Sequence, residues 1–225
     1  MKIHLQKEID RLKKRLFHLS SLVEENLERS IRAVCDGDTE LAREVRRRDR
    51  EIDLLEVEVE EDCLKILALH QPVAVDLRYL IAVLKMNNDI ERIGDRAVNI
   101  ARGKGCFAGS PLPPALVEKF RELGAKASRM LRNSLDALME MDAAKARTVL
   151  AADDEVDAAY HDLARLMLKE LSRSPERAES HYCWLLAAKS LERVADHATN
   201  IAEDTIYTVE GIIVRHGVED EDDRK

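Results

Sequence analysis

Aromatic residues make up only 4% of these 225 residues, and the chain has just eight glycines and five prolines. Strands favour aromatic and β-branched side chains, and all-β domains spend Gly and Pro on their turns, so sheet architectures are disfavoured. No apolar run approaches the ~18 to 20 residues that a membrane-spanning helix needs. The amino-terminal segment MKIHLQKEIDRLKKRL is amphipathic, unlike a signal sequence, and the protein is expected in the cytoplasm. Cys35, Cys63, Cys106 and Cys183 show no CxxC spacing, and three of them fall in helical patterns. That argues against a zinc knuckle or a disulfide framework and predicts buried or half-buried free thiols. Net positive charge is also missing. At a formal charge of -8 the chain lacks the cationic surface on which duplex affinity rests, so no nucleic-acid partner is expected. The local exception is Arg43, Arg46, Arg47, Arg48 and Arg50, read as a solvated helix face, with a docking patch for an acidic partner or anionic lipid as the alternative.

What the chain has in quantity is Leu, Ala, Glu, Arg and Lys, the composition of long helices. The fold class is all-α. Leu12, Leu16, Leu19, Val23, Leu27, Ile31 and Val34 recur at three- and four-residue steps and define a first helix over about 5–34. Asp36-Gly37-Asp38 breaks it, and Asp38 is placed to N-cap a second helix reaching about residue 69, on the stripe Leu41, Val45, Ile52, Leu55, Val59 and Ile66. Pro72 is assigned to the first turn of a third helix, which runs to about residue 102. There Leu77, Leu80, Ile81 and Leu84 form an apolar stripe that continues through Asn88, Glu91, Asp95 and Asn99, while Val83, Met86, Ile90, Ile93 and Ala97 form a second apolar face.

After GKGCFAGSPLPP, residues 103–114 and read as a linker, the pattern returns. The first-helix stripe maps onto Leu116, Phe120, Leu123, Ala127, Leu131, Leu135 and Leu138 at an offset of 104, and Asp38 to Asp49 onto Asp142 to Asp153. The Glu91/Asp95 pair returns as Glu192/Asp196 at an offset of 101. These offsets predict two tandem, internally duplicated three-helix bundles built from six long helices. The later helices span about 114–140, 142–172 and 175–214, the last beginning at Ser174-Pro175-Glu176, and each is about 45 Å long. The domain division is 1–105, 106–215 and an acidic tail, 216–225, without periodicity and expected to be disordered.

With 44 acidic residues, about nine acidic pairs at i,i+4 arise by chance, so a single pair carries little. Four pairs at duplicated positions carry more: Asp49/Asp53 with Glu91/Asp95, and Asp153/Asp157 with Glu192/Asp196. In an antiparallel hairpin turning near residues 70–71, Asp49 and Glu91 are both about 21 residues from the turn and hence level with one another. The second hairpin, turning near 173–174, levels its own pairs in the same way. Gathered carboxylates repel and raise each other's pKa unless cations compensate them. Those cations are either bound metal, for which hard oxygen donors suit Mg²⁺, Mn²⁺, Ca²⁺ or iron, or a lattice of Arg92, Arg96 and Arg193. Asn88, Asn99 and Asn200 offer further oxygens, and His197 lies about 100° from Asp196 around its helix.

The segments QPVAVDLRYLIAVLKMNNDIERIGDRAVNIA and LERVADHATNIAEDTIYTVEG, with RDREID and ADDEVD, resemble the PhoU family of phosphate-uptake regulators over about residues 3–214. The resemblance implies two three-helix bundles, no catalysis, and metal (iron or zinc clusters, or Mg²⁺/Mn²⁺) held by Asp49, Asp53, Glu91, Asp95, Asp153, Asp157, Glu192 and Asp196. It also implies a homodimer that represses the phosphate-starvation response by linking the ATPase of a phosphate ABC transporter to a membrane sensor histidine kinase. Arg96 stands where the second repeat has His197, so the two sites are expected to be unequal. A di-metal carboxylate oxidase would need Glu-x-x-His on two helices, and no Glu here has His three residues later. The remaining rivals are a metal-free helical adaptor and an accessory subunit of another phosphate carrier.

Overall fold

The computed structural model describes residues 2–102 and 112–214. Its elements are all helical: α1 (Lys2–Asp36), α2 (Thr39–His70), α3 (Ala74–Ala101), α4 (Pro114–Glu140), α5 (Ala143–Arg173), a 3-10 turn (Pro175–Arg177) and α6 (Ala178–Glu210). Helices α1, α2 and α3 pack mutually, as do α4, α5 and α6, which gives the two expected bundles. The bundles join through α3 against α6 and, less extensively, α1 against α4. The domain boundary at 105/106, Cys106, most of the linker and the acidic tail lie outside the described residues.

The predicted stripes are the core. Leu12, Leu16, Leu19, Val23 and Leu27 of α1 are fully buried, and so are Phe120, Leu123, Ala127 and Leu131 at the matching places in α4. Phe120 meets Trp184 of α6 edge to face, centroids 5.0 Å apart. On α3 the face Val83, Met86, Ile90, Ile93 and Ala97 is fully buried. The other stripe departs from expectation: Leu80 is buried, but Leu77 and Ile81 are exposed. Helix α3 contacts α1, α2 and α6, and the face turned to those neighbours leaves the Leu77/Ile81 edge outside.

The helix ends follow local chemistry. Asp38 Oδ1 accepts from the amides of Glu40 and Leu41, both at 3.0 Å, and Asp142 Oδ1 from that of Lys145 at 3.0 Å, so the duplicated aspartates cap duplicated helices. Pro72 does not begin α3. Gln71 turns left-handed (φ 44°) and Val73 is extended (φ -127°, ψ 159°), so reversing the chain uses residues 71–73 and the helix starts at Ala74. The last helix stops at Glu210 instead of 214 because Gly211 takes the left-handed conformation (φ 77°) and donates to Tyr207 O at 2.9 Å. Cys35 and Cys63 are free as expected, but Cys183 is disulfide-bonded. Local spacing such as CxxC carries no information about pairing between segments distant in sequence, which is why the sequence pattern missed it.

Replacing either cap, Asp38→Ala or Asp142→Ala, is expected to lower stability by about 1 kcal/mol, and the two together by about the sum, since the sites share no partner. Thermal melts of the two single variants and the double variant check this.

Candidate metal-binding carboxylate sites

Asp49 and Asp53 stand one turn apart on α2, and Glu91 and Asp95 one turn apart on α3. Gly94 lets the two helices approach closely here. A Cβ at that position would lie 3.2 Å from Ile52 Cγ2 and 3.7 Å from Asp49 Oδ1, and the equivalent residue in the second repeat is Ala195. The acids feel one another across this junction. Burial raises the Asp49 carboxyl to about 6, with the charges of Asp53 and Asp95 adding to the rise and Arg102 opposing it. Asp53 is raised by burial and by Asp95, and Glu91 by burial and then by Asp95, Asp53 and Glu56. Among the described residues none of the four predicted acids forms an ion pair. Arg92 pulls Glu91 down only through its field, since its Nε donates to Asn88 Oδ1 at 2.8 Å, and Arg96 joins none of the acids.

The second repeat gathers Asp153 and Asp157 of α5 beneath Glu192 and Asp196 of α6. Burial raises Asp153 to about 6, followed by the charges of Asp157, Asp196, Asp154 and Glu192. Here cations intervene. Lys189 Nζ pairs with Glu192, and Arg193 Nη1 with Asp196 at 2.8 Å. The arginine-lattice reading therefore describes the second repeat and fails in the first. Even so, Asp153 Oδ1 and Glu192 Oε2 are buried without a hydrogen-bond partner, the latter only 3.9 Å from Arg193 Nε, and buried oxygens without a hydrogen bond are suited to a cation.

As donors, all eight carboxylates fit a hard cation. They are not assembled into a finished shell: among the described residues no three His, Cys, Asp or Glu groups converge closely enough to hold a metal ion.

Several supporting residues differ from expectation. Asn200 turns away from the acids and donates to Asp89 Oδ1 across the bundle junction at 3.1 Å, because its side of α6 faces α3. His197 is buried with Nδ1 2.8 Å from the same oxygen. Asn99 accepts from Arg102 at 3.4 Å. Glu56 was missed. It is raised by burial, Glu60 and Asp53, and its carboxylate accepts from Asn87 Nδ2 at 2.9 Å. A search for acids repeated at both offsets hides it, since position 160 is tyrosine; its place three residues beyond Asp53 was the available signal. In the basic cluster, Arg43 pairs with Glu40, Arg48 with Glu25 at 2.8 Å and Arg47 with Glu44 at 3.9 Å, largely a neutralised helix face.

The PhoU domain model matches residues 16–103 and again 120–205, one copy on each bundle. This chain belongs to the PhoU family. Similar PhoU proteins include the "phosphate-specific transport system accessory protein PhoU homolog" of Pseudomonas aeruginosa, 35% identical across 93% of this chain and 86% of that one. The homolog of Aquifex aeolicus is 36% identical across 94% and 96%. The crystal structure of PhoU from Pseudomonas aeruginosa superposes with a TM-score of 0.88 at 34% identity, covering 92% of this chain and 99% of that one. The phosphate transport system regulatory protein PhoU from Streptococcus pneumoniae gives a TM-score of 0.86 at 27% identity, covering 93% and 99%. PhoU proteins are named for accessory and regulatory roles, in agreement with the expectation that this chain is not an enzyme.

The raised acids predict a pH signature for metal-free protein. Asp49 has an ordinary carboxyl pKa when unfolded and about 6 when folded, so the folded state holds the extra proton between pH 4 and 6. Its contribution is therefore most favourable below that window and is lost as pH rises through it. In chelator, Asp49→Asn is expected to raise the melting temperature at pH 8 and to have little effect at pH 4; an equal shift at both pH values would contradict the raised carboxyl.

Proposed function

We propose that this chain is the metal-binding accessory protein of a phosphate-specific transport system, and that it keeps the phosphate-starvation response switched off when phosphate is plentiful. The observation that supports it best is the pair of carboxylate clusters at duplicated positions on two PhoU domains, the first held in no ion pair among the described residues. Iron, zinc, Mg²⁺ or Mn²⁺ bound by Asp49, Asp53, Glu91 and Asp95, and by Asp153, Asp157, Glu192 and Asp196, relieves that repulsion and stiffens both hairpins. In this reading the protein works in the cytoplasm as a homodimer. It docks on the ATPase subunit of the phosphate ABC transporter and on a sensor histidine kinase, reaching the membrane only through those partners. No helix among the described residues is long and apolar enough to cross a membrane, which agrees with docking.

Two experiments test the two halves. Deleting the gene should leave a phosphate-starvation reporter on at high phosphate; unchanged repression would overturn the regulatory half. For the metal half, Asp49→Asn with Asp53→Asn is expected to retain about half of the wild-type metal on elemental analysis, since the second site stays intact. Wild-type loading in that variant would remove these residues from the ligand set.

A further inference from the structure

The α3–α6 junction is antiparallel and approximately two-fold, because Met86 meets Thr205 and Asp89 meets His197 while Arg96 faces the neighbourhood of Ser190. The repeat offset of 101 exchanges the two ends: Asp89 corresponds to Ser190, Arg96 to His197 and Asn99 to Asn200. At one end the Asp89 carboxylate faces His197 Nδ1 at 2.8 Å and Asn200 Nδ2 at 3.1 Å. At the other end the acid is missing. Ser190 stands in its place, its hydroxyl donating to Leu186 O within its own helix at 2.9 Å. A cleft of about 520 Å³ opens there instead.

Four cations, Arg96, Arg102, Lys189 and Arg193, line this cleft together with Asn99 and the disulfide-bonded Cys183, and among the described residues no carboxylate does. Lys189 and Arg193 are engaged with Glu192 and Asp196. Among the described residues Arg96 has no ion pair, and its Nε is buried without a hydrogen-bond partner, while Arg102 donates to the Asn99 amide oxygen at 3.4 Å and its charge also reaches Asp49. That amide leaves its N–H groups available. Two guanidinium groups outside any ion pair and an amide donor thus line the end of the junction where the counterpart of the Asp89 carboxylate is missing.

We propose that this cleft binds the phosphoryl group of inorganic phosphate or of a phosphomonoester. Two guanidinium charges held in no ion pair among the described residues match the near-dianionic charge of that group at pH 7, and guanidinium forks match its oxygens in geometry. A single carboxylate would balance only one of them. The volume exceeds that of a lone phosphate, and Leu186 gives the cleft an apolar wall against which the remainder of a monoester can lie. The proposal stands apart from metal loading and from gene regulation, so it is tested on chelator-treated protein.

Isothermal titration at constant ionic strength with inorganic phosphate, glycerol 3-phosphate and AMP, against a chloride baseline, identifies the source by which probe binds most tightly. Arg96→Gln is expected to weaken that probe by about tenfold or more, the effect of losing one charge-assisted contact. Ser190→Asp supplies internally the carboxylate that Asp89 provides at the other end, so it should abolish binding while the protein melts at or above the wild-type temperature. That second variant separates a lost site from a lost fold. Failure of all three probes to bind wild-type protein at millimolar concentration, or undiminished binding in both variants, would overturn the proposal.

Discussion

Burial of carboxylates on neighbouring helices, with their mutual repulsion added, is the constraint on which the rest of this structure depends. Burial of Ile52, Val59, Ile90 and Ile93 fixes α2 against α3, and that packing keeps Asp49, Asp53, Glu91 and Asp95 within reach of one another's charge. The hydrophobic core thus holds together a surface that electrostatics alone would spread apart. A fold that carries such a site unpaired is less stable than one without it, and a cation that enters it returns the difference as binding energy.

Duplication gives the molecule two versions of this arrangement, and they have diverged. The second repeat balances its acids with Lys189 and Arg193, whereas the first leaves its acids unpaired and admits Gly94 where the second has Ala195. The bundle junction shows the same divergence. Asp89, His197 and Asn200 close one end with a buried polar contact, while Ser190 and Arg96 leave the other open and cationic. Lys189 and Arg193 take part in both features, since they hold the acids of the second site and line the cleft.

Much of this was legible in the sequence. Three- and four-residue apolar spacing identified six helices and nearly all of their core faces, because a bundle helix buries one continuous stripe. The acids of each hairpin were legible through duplication and distance from the turn. The misses share one cause, which is that spacing along a helix reports which side chains share a face and not which neighbour that face meets. Leu77 and Ile81 therefore looked buried, Asn200 looked like a ligand, and Arg96 looked like a counter-ion for acids it does not touch. Glu56 escaped because its repeat counterpart is Tyr160, and Cys183 because its bond is not local.

We propose that the first repeat is an unpaired cation site and the second a partly neutralised one, and Mn²⁺ titration of chelator-stripped protein followed by NMR tests this. Amides flanking Asp49 and Asp95 should broaden at lower Mn²⁺ than those flanking Asp153 and Asp196, by up to about fivefold in concentration, the effect of displacing exposed ion pairs. Broadening that begins at the second repeat, or that never saturates at either, would contradict it.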